Sequence, residues 1–264
     1  MKGLTMALAG SAFTFLITTL GALNVFFVKK NMGESIQRIF LGFAGGVMVA
    51  ASIWSLLVPG IETAEKNGQI GWIVVPGGFL LGVIFLLITD RLLEKRYSGK
   101  NEARECTTRI RKDTLMLIIA MTVHNIPEGF AVGLACALAG ANPGDAGLLS
   151  GAFALSLGIG IQNYPEGTAV ALPLISEGCD RKKAFGIGVL SAAVEPLAAV
   201  VAALIAGCIS RIIPVFLAFA AGTMIYVVVE ELIPQAHMGE KDNIGTLGFI
   251  TGFMVMMILD VALG

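Results

Sequence analysis

Residues 114–139 read TLMLIIAMTVHNIPEGFAVGLACALA, and the way this stretch must be housed decides the fold. Apart from His124 and Glu128 it carries no residue that ionises near neutral pH, except the weakly acidic thiol of Cys136. A helix rises 1.5 Å per residue, so roughly 20 apolar residues cross a hydrocarbon layer of about 30 Å. The run is long enough to span one. A carboxylate at the depth of Glu128 costs about 2.5–3.5 kcal/mol on insertion scales, which is why such residues mark pathways and sites.

The rest of the chain repeats the pattern. Of 264 residues 56% are hydrophobic and 14% charged, against about 25% charged in soluble domains. Charges punctuate the apolar runs at intervals that fit membrane spans. The spans predicted are about 4–28, 37–60, 71–93, 114–139, 147–174, 183–208, 212–233 and 244–263. The expected fold is an all-α integral membrane protein of eight transmembrane helices forming one domain over residues 1–264. Transmembrane barrel strands would instead alternate over about 10 residues. The uncharged run from Gly3 to Val28 exceeds a signal-peptide core and reads as a retained first span. A net charge of -1 gives no footprint for nucleic acid. Cys106, Cys136, Cys179 and Cys208 lack the close spacing of a zinc-thiolate or disulfide framework and read as packing residues.

Lysine and arginine set the orientation. Fifteen of the eighteen fall in the loops after spans 1, 3, 5 and 7, leaving Lys2, Lys66 and Arg211 for the other side. The positive-inside rule then places a multi-pass protein in the cell membrane with both termini extracytoplasmic. The largest loop, residues 94–113, is densely charged and reads as a solvated cytoplasmic connection.

Three acids lie inside spans: Glu128, Glu166 and Glu195. The first two sit in an internal echo, His124-Asn125-Ile126-Pro127-Glu128-Gly129 and Gln162-Asn163-Tyr164-Pro165-Glu166-Gly167. Residues four apart on a helix share a face. His124 therefore stands with Glu128, and Gln162 with Glu166, while Asn125 and Asn163 flank the same stripes. Each proline removes a donor and crowds the preceding turn, freeing the carbonyls of Val123 and Ile161. Helices 4 and 5 are expected to kink there, at the centre of the bundle.

One imidazole, two carboxylates and three carboxamides form a suitable ligand set for a divalent first-row metal. Two glutamates balance a charge of +2, and with no ion the pair favours a bound proton, so metal and protons are expected to exchange. A lone buried histidine is ordinarily a hydrogen-bonded core residue, and a lone buried glutamate pairs with serine or backbone. The doubled stripe differs, because its acids and Glu195 have no lysine or arginine inside the spans. Asp90, Glu230, Glu231 and Asp260 lie near span ends, where a solvated role is expected. Met48 reads as core whose thioether can touch a soft ion. The alternative function is a proton-coupled carrier of a small organic solute, with the glutamates as relays. An intramembrane metalloenzyme is disfavoured, since the HExxH arrangement is absent, and the chain is not expected to be an enzyme. A purely structural membrane protein is the remaining option.

With these residues in view, the sequence resembles the ZIP (Zrt/Irt-like) metal transporters, especially their bacterial GufA-like branch. The resemblance extends along essentially the whole chain and rests on the two PEG motifs, Glu195-Pro196 and the charged loop between spans 3 and 4. It implies a ZIP-like bundle, often dimeric, that takes up zinc or a related ion (iron, manganese, cobalt or cadmium) into the cytosol as cargo, with no prosthetic group. It also implies that His124, Glu128, Gln162 and Glu166 ligate the main site, with Met48 adjoining. Asn125, Asn163 and Glu195, with the shared glutamates, would form a second site, and Glu231 would lie near one end of the pathway. Asn163 stands where some relatives place aspartate, and residues 94–113 contain no histidine.

Overall fold

The computed structural model describes residues 2–27, 34–97, 102–103, 110–207, 210–236, 238 and 242–263. Its described residues are overwhelmingly helical. Lipid offers no partner to a bare peptide group, so each spanning segment must satisfy its own backbone. The long elements are α1 (Lys2–Ala22), α2 (Glu34–Ala51), α3 (Val58–Lys66), α4 (Gly71–Tyr97), α5 (Lys112–Ala141) and α6 (Ala146–Ser176). After them come α7 (Arg181–Ala192), α8 (Val194–Ile205), α9 (Ile213–Val227), the short α10 (Ile233–Gln235) and α11 (Ile244–Leu263). Among the described residues, strands are confined to two-residue pieces, Glu102–Ala103 and Ile110–Arg111, paired antiparallel in the charged loop.

Seven helical stretches among the described residues are long and apolar enough to cross a bilayer: Lys2–Phe26, Arg38–Lys66, Gly71–Leu92, Ala146–Ser176, Arg181–Ile205, Ile213–Gln235 and Ile244–Ala262. The 30-residue α5 runs beside them. Both α5 and α6 continue as α-helix through Pro127 and Pro165.

The irregularities fall elsewhere, and prolines account for them. Ser52–Leu57 and Val228–Leu232 are π-helical, and each lies just before a proline, Pro59 or Pro234. A proline cannot bond the carbonyl four residues back and crowds it. The wider turn relieves that crowding by bonding five back, from the Val58 N–H to the Ile53 carbonyl and from the Ile233 N–H to the Val228 carbonyl. The span expected at 37–60 thereby continues to Lys66. The span expected as one helix at 183–208 is interrupted at Ala193, because Pro196 cannot donate to the Ala192 carbonyl. Glu195 consequently opens the first turn of a new helix, where the positive end of the dipole favours a carboxylate.

The helices pack as two groups. α1 contacts α5, α6, α7 and α8; α9 contacts α2, α3 and α4, with α11 held to α2; and the groups meet where α6 crosses α2 and α11 and where α5 meets α9 and α4. Small residues permit the close crossings that take the place of a hydrophobic drive in lipid. A Cβ on Gly46 would fall 1.9 Å from the Phe249 carbonyl oxygen, so α2 and α11 touch backbone to backbone. At one end of that pair the buried Arg38 grips Asp242 through two hydrogen bonds of 2.8 and 2.9 Å. Against a desolvation that raises it, the Ile244 amide and the Arg38 guanidinium hold the Asp242 carboxyl below the usual carboxylate value.

Two expectations are corrected. Asp260 is not solvated: it is buried and accepts a 2.5 Å hydrogen bond from Ser55. Cys179 is disulfide-bonded rather than a free packing residue. Cys136 is free and buried, as read, and Cys106 and Cys208 lie outside the described residues.

Candidate metal centre

Three helices converge on one buried point. α5 supplies His124, Asn125 and Glu128; α6 supplies Gln162, Asn163 and Glu166; α8 supplies Glu195 from its first turn. None of the seven is more than 3% exposed. The backbone contact that brings α8 in is specific to glycine, since a Cβ on Gly129 would lie 2.1 Å from the Glu195 carbonyl oxygen. The glycine after the first glutamate thus seats the third acid.

His124, Glu128 and Glu166 each offer a ligand atom, and these atoms all lie within 4.8 Å of one another. Two donors about 2 Å from a shared zinc ion sit at most about 4 Å apart. A small side-chain adjustment closes the difference. His124 Nε2 lies 3.1 Å from Glu128 Oε1, yet without the geometry of a hydrogen bond.

The carboxamides are ordered around this trio. Gln162 Nε2 donates to Glu128 Oε1, Asn163 Nδ2 donates to Glu195 Oε2 at 3.0 Å, and Asn125 Nδ2 donates to the Ser191 carbonyl at 3.1 Å. Each amide thus gives a hydrogen to the protein and keeps its oxygen. Those oxygens are buried and unpartnered, together with both His124 nitrogens, Glu128 Oε2, both Glu166 oxygens and Glu195 Oε1. Buried polar atoms in folded proteins are nearly all partnered. So many unpartnered oxygens in one place, beside the acceptor nitrogen of a neutral imidazole, are what a cation needs.

The other expected residues lie outside the trio. Met48 is fully buried on α2, which packs across α6. Glu231 is half-buried in the wide turn after α9, where it accepts from Gln235 Nε2 at 2.9 Å. Glu195 joins the centre through Asn163.

Sequence reading missed the contribution of α1. Ser11, Thr14 and Thr18 form a buried hydroxyl stripe, and Thr14 faces Glu195. Each hydroxyl donates to its own helix, Ser11 to the Ala7 carbonyl at 2.8 Å, Thr14 to Ser11 at 3.0 Å and Thr18 to Thr14 at 3.1 Å. The available signal was their spacing of three and four in an otherwise apolar helix. Ser191, the acceptor that orients Asn125, gave no signal, because the helix interruption beside it was not foreseen.

Known proteins match this chain along nearly its whole length. The family described as ZIP zinc transporter matches residues 4–115 and 100–260. Zinc transporter GufA of Myxococcus xanthus is 35% identical, over 97% of this chain and 96% of its own length. Zinc transporter ZIP11 of Xenopus tropicalis is 34% identical, over 98% of this chain and 97% of its own. Zinc transporter ZIPB of Bordetella bronchiseptica is 34% identical, over 98% of this chain and 81% of its own. Matches of this extent establish that the chain belongs to the ZIP zinc transporter family, as a GufA-like member.

Proposed function

We propose that the protein carries a divalent metal ion, zinc foremost, across the cell membrane into the cytosol. The observation that carries this reading is the set of unpartnered oxygen and nitrogen atoms converging from α5, α6 and α8. Neither α6 nor α8 contains a lysine or arginine, and α5 has none after Lys112. The buried acids therefore find their counter-charge in a dication or in protons. Confinement of the donors within 4.8 Å favours an ion over an organic solute. No role in the reading requires catalysis.

In this proposal His124, Glu128, Gln162 and Glu166 hold the ion in transit, with Met48 beside it. Asn125, Asn163 and Glu195 form an adjoining site that shares both glutamates, and Glu231 lies along the route to the cytosol. α5 is the eighth span, both termini are extracytoplasmic, and the bundle is one unit able to pair as a homodimer. Proline bends in α5 and α6 free carbonyls beside the ion. The group of α1, α5, α6, α7 and α8 moves against the other group, exposing the site to each side in turn.

Proteoliposomes test the proposal. Saturable zinc uptake is expected, and it should weaken as pH falls through the range where imidazole and carboxylate take up protons, since protonated ligands release metal. Uptake that ignores zinc but follows an organic solute overturns it. A second test concerns Asn163, whose amide neutralises nothing. Asn163→Asp sets a carboxylate against Glu195 Oε2, the present partner of Asn163 at 3.0 Å. A dication relieves that repulsion, and so does a proton shared by the pair, so zinc is supplied in excess at a pH high enough to disfavour the proton. Zinc bound per purified chain should rise, as read by elemental analysis, and an unchanged content removes the adjoining site.

A further inference from the structure

We propose that Asn24 is a positioning residue for the metal centre, its side chain fixing the turn of α6 that presents Glu166. The inference rests on the transport reading above and adds to it a residue outside the ligand set.

Asn24 lies in the 3-10 segment Leu23–Phe26 that closes the first helix. Both ends of its amide are engaged. Oδ1 accepts from the Tyr164 hydroxyl at 3.1 Å, and Nδ2 donates to Thr168 Oγ1 at 2.8 Å. Tyr164 and Thr168 are four residues apart and so share one face of α6. Glu166 is midway between them, about 200° around the helix from each. One carboxamide therefore grips the back of the turn whose front carries the carboxylate.

The surroundings turn that grip into a rigid coupling. Thr168 Oγ1 is also 3.0 Å from the Gly21 carbonyl. A Cβ on Gly167 would lie 2.0 Å from the Thr18 carbonyl oxygen, and one on Gly21 would lie 2.1 Å from the Tyr164 carbonyl oxygen. α1 and α6 are thus in backbone contact at Tyr164 and at Gly167, within the turn that Asn24's two partners bound. The Tyr164 ring also meets Phe40 of α2 edge-on, with centroids 6.2 Å apart.

A polar clasp is needed here because Pro165 withholds the hydrogen bond that would otherwise brace the Ile161 carbonyl. The α6 ladder therefore lacks one hydrogen bond in the turn bearing Gln162, Asn163 and Glu166. Metal ligands have to be held to about 0.5 Å of productive geometry by groups behind them. Asn24 supplies that hold from a different helix.

The test measures zinc affinity of purified protein together with KM and maximal rate in proteoliposomes. Asn24→Leu is expected to weaken zinc binding about 10-fold, the low end of the cost of losing a group bonded directly to a ligand, because Asn24 holds the turn and not the carboxylate itself, and to raise KM by a similar factor. Tyr164→Phe breaks only one of the two bonds and should give a smaller shift in the same direction. The double variant should be no worse than Asn24→Leu alone, because both changes open the same clasp. Thr19→Ala is the control, since that hydroxyl bonds only the Phe15 carbonyl of its own helix, at 2.9 Å, and should leave KM unchanged. Wild-type zinc affinity and KM in Asn24→Leu, with only the amount of folded protein reduced, overturn the inference. Should Asn24→Leu not accumulate, an unchanged KM in Tyr164→Phe overturns it equally. Failure of the wild-type protein to bind zinc refutes the transport reading instead.

Discussion

Glu128→Ala is expected to abolish saturable zinc uptake. Glu128 is the hub of the centre: it stands 3.1 Å from His124, accepts from Gln162, and belongs to the trio whose donor atoms lie within 4.8 Å. Alanine removes a ligand and half the negative charge that the two PEG motifs set against a dication. It also strands the Gln162 amide without its acceptor in a fully buried place, a further cost. Outer-shell changes alone cost 10–100-fold in metal affinity, so loss of this residue should exceed about 100-fold. Transport in proteoliposomes and zinc content of the same preparation check it. Normal uptake by a well-folded variant would remove the central claim.

The second large effect comes from a residue that holds no metal. Gly129→Ala places a methyl group 2.1 Å from the Glu195 carbonyl oxygen and 2.8 Å from its Cα. Neither neighbour is a flexible side-chain end, so α5 and α8 must separate. Overpacking of this kind typically costs about 1–3 kcal/mol, and here the displaced element carries the third acid. Thermal unfolding in detergent should show a lower midpoint, and zinc uptake should fall with it. A variant as stable as the wild type would mean that the two helices do not meet at this glycine.

Much of this was legible in the sequence, for a physical reason. Backbone in lipid has to close its own hydrogen bonds, so uncharged runs of sufficient length are helices, and charges mark where they stop. The echo of His124–Gly129 in Gln162–Gly167 located the centre, because helical spacing alone puts His124 with Glu128 and Gln162 with Glu166. What depended on distant parts of the chain was not legible. Asp260 looked solvated near a span end, but its partner Ser55 lies 205 residues away in a wide turn that no local pattern announces. The interruption at Ala193 turns on one proline that a continuous helix also tolerates, as α6 does at Pro165. Which way each carboxamide points was equally hidden, since the acceptors for Asn125 and Asn163 lie on α7 and α8.

That orientation reaches further than affinity. With one hydrogen of each carboxamide of Asn125, Gln162 and Asn163 held by a protein acceptor, the three amide oxygens are left without partners, and the centre offers a visitor more electron pairs than hydrogens. An anion such as chloride or phosphate meets repulsion there before its size is ever measured. Sorting by polarity is thus set by the hydrogen-bond wiring, and the choice among cations is left to coordination geometry.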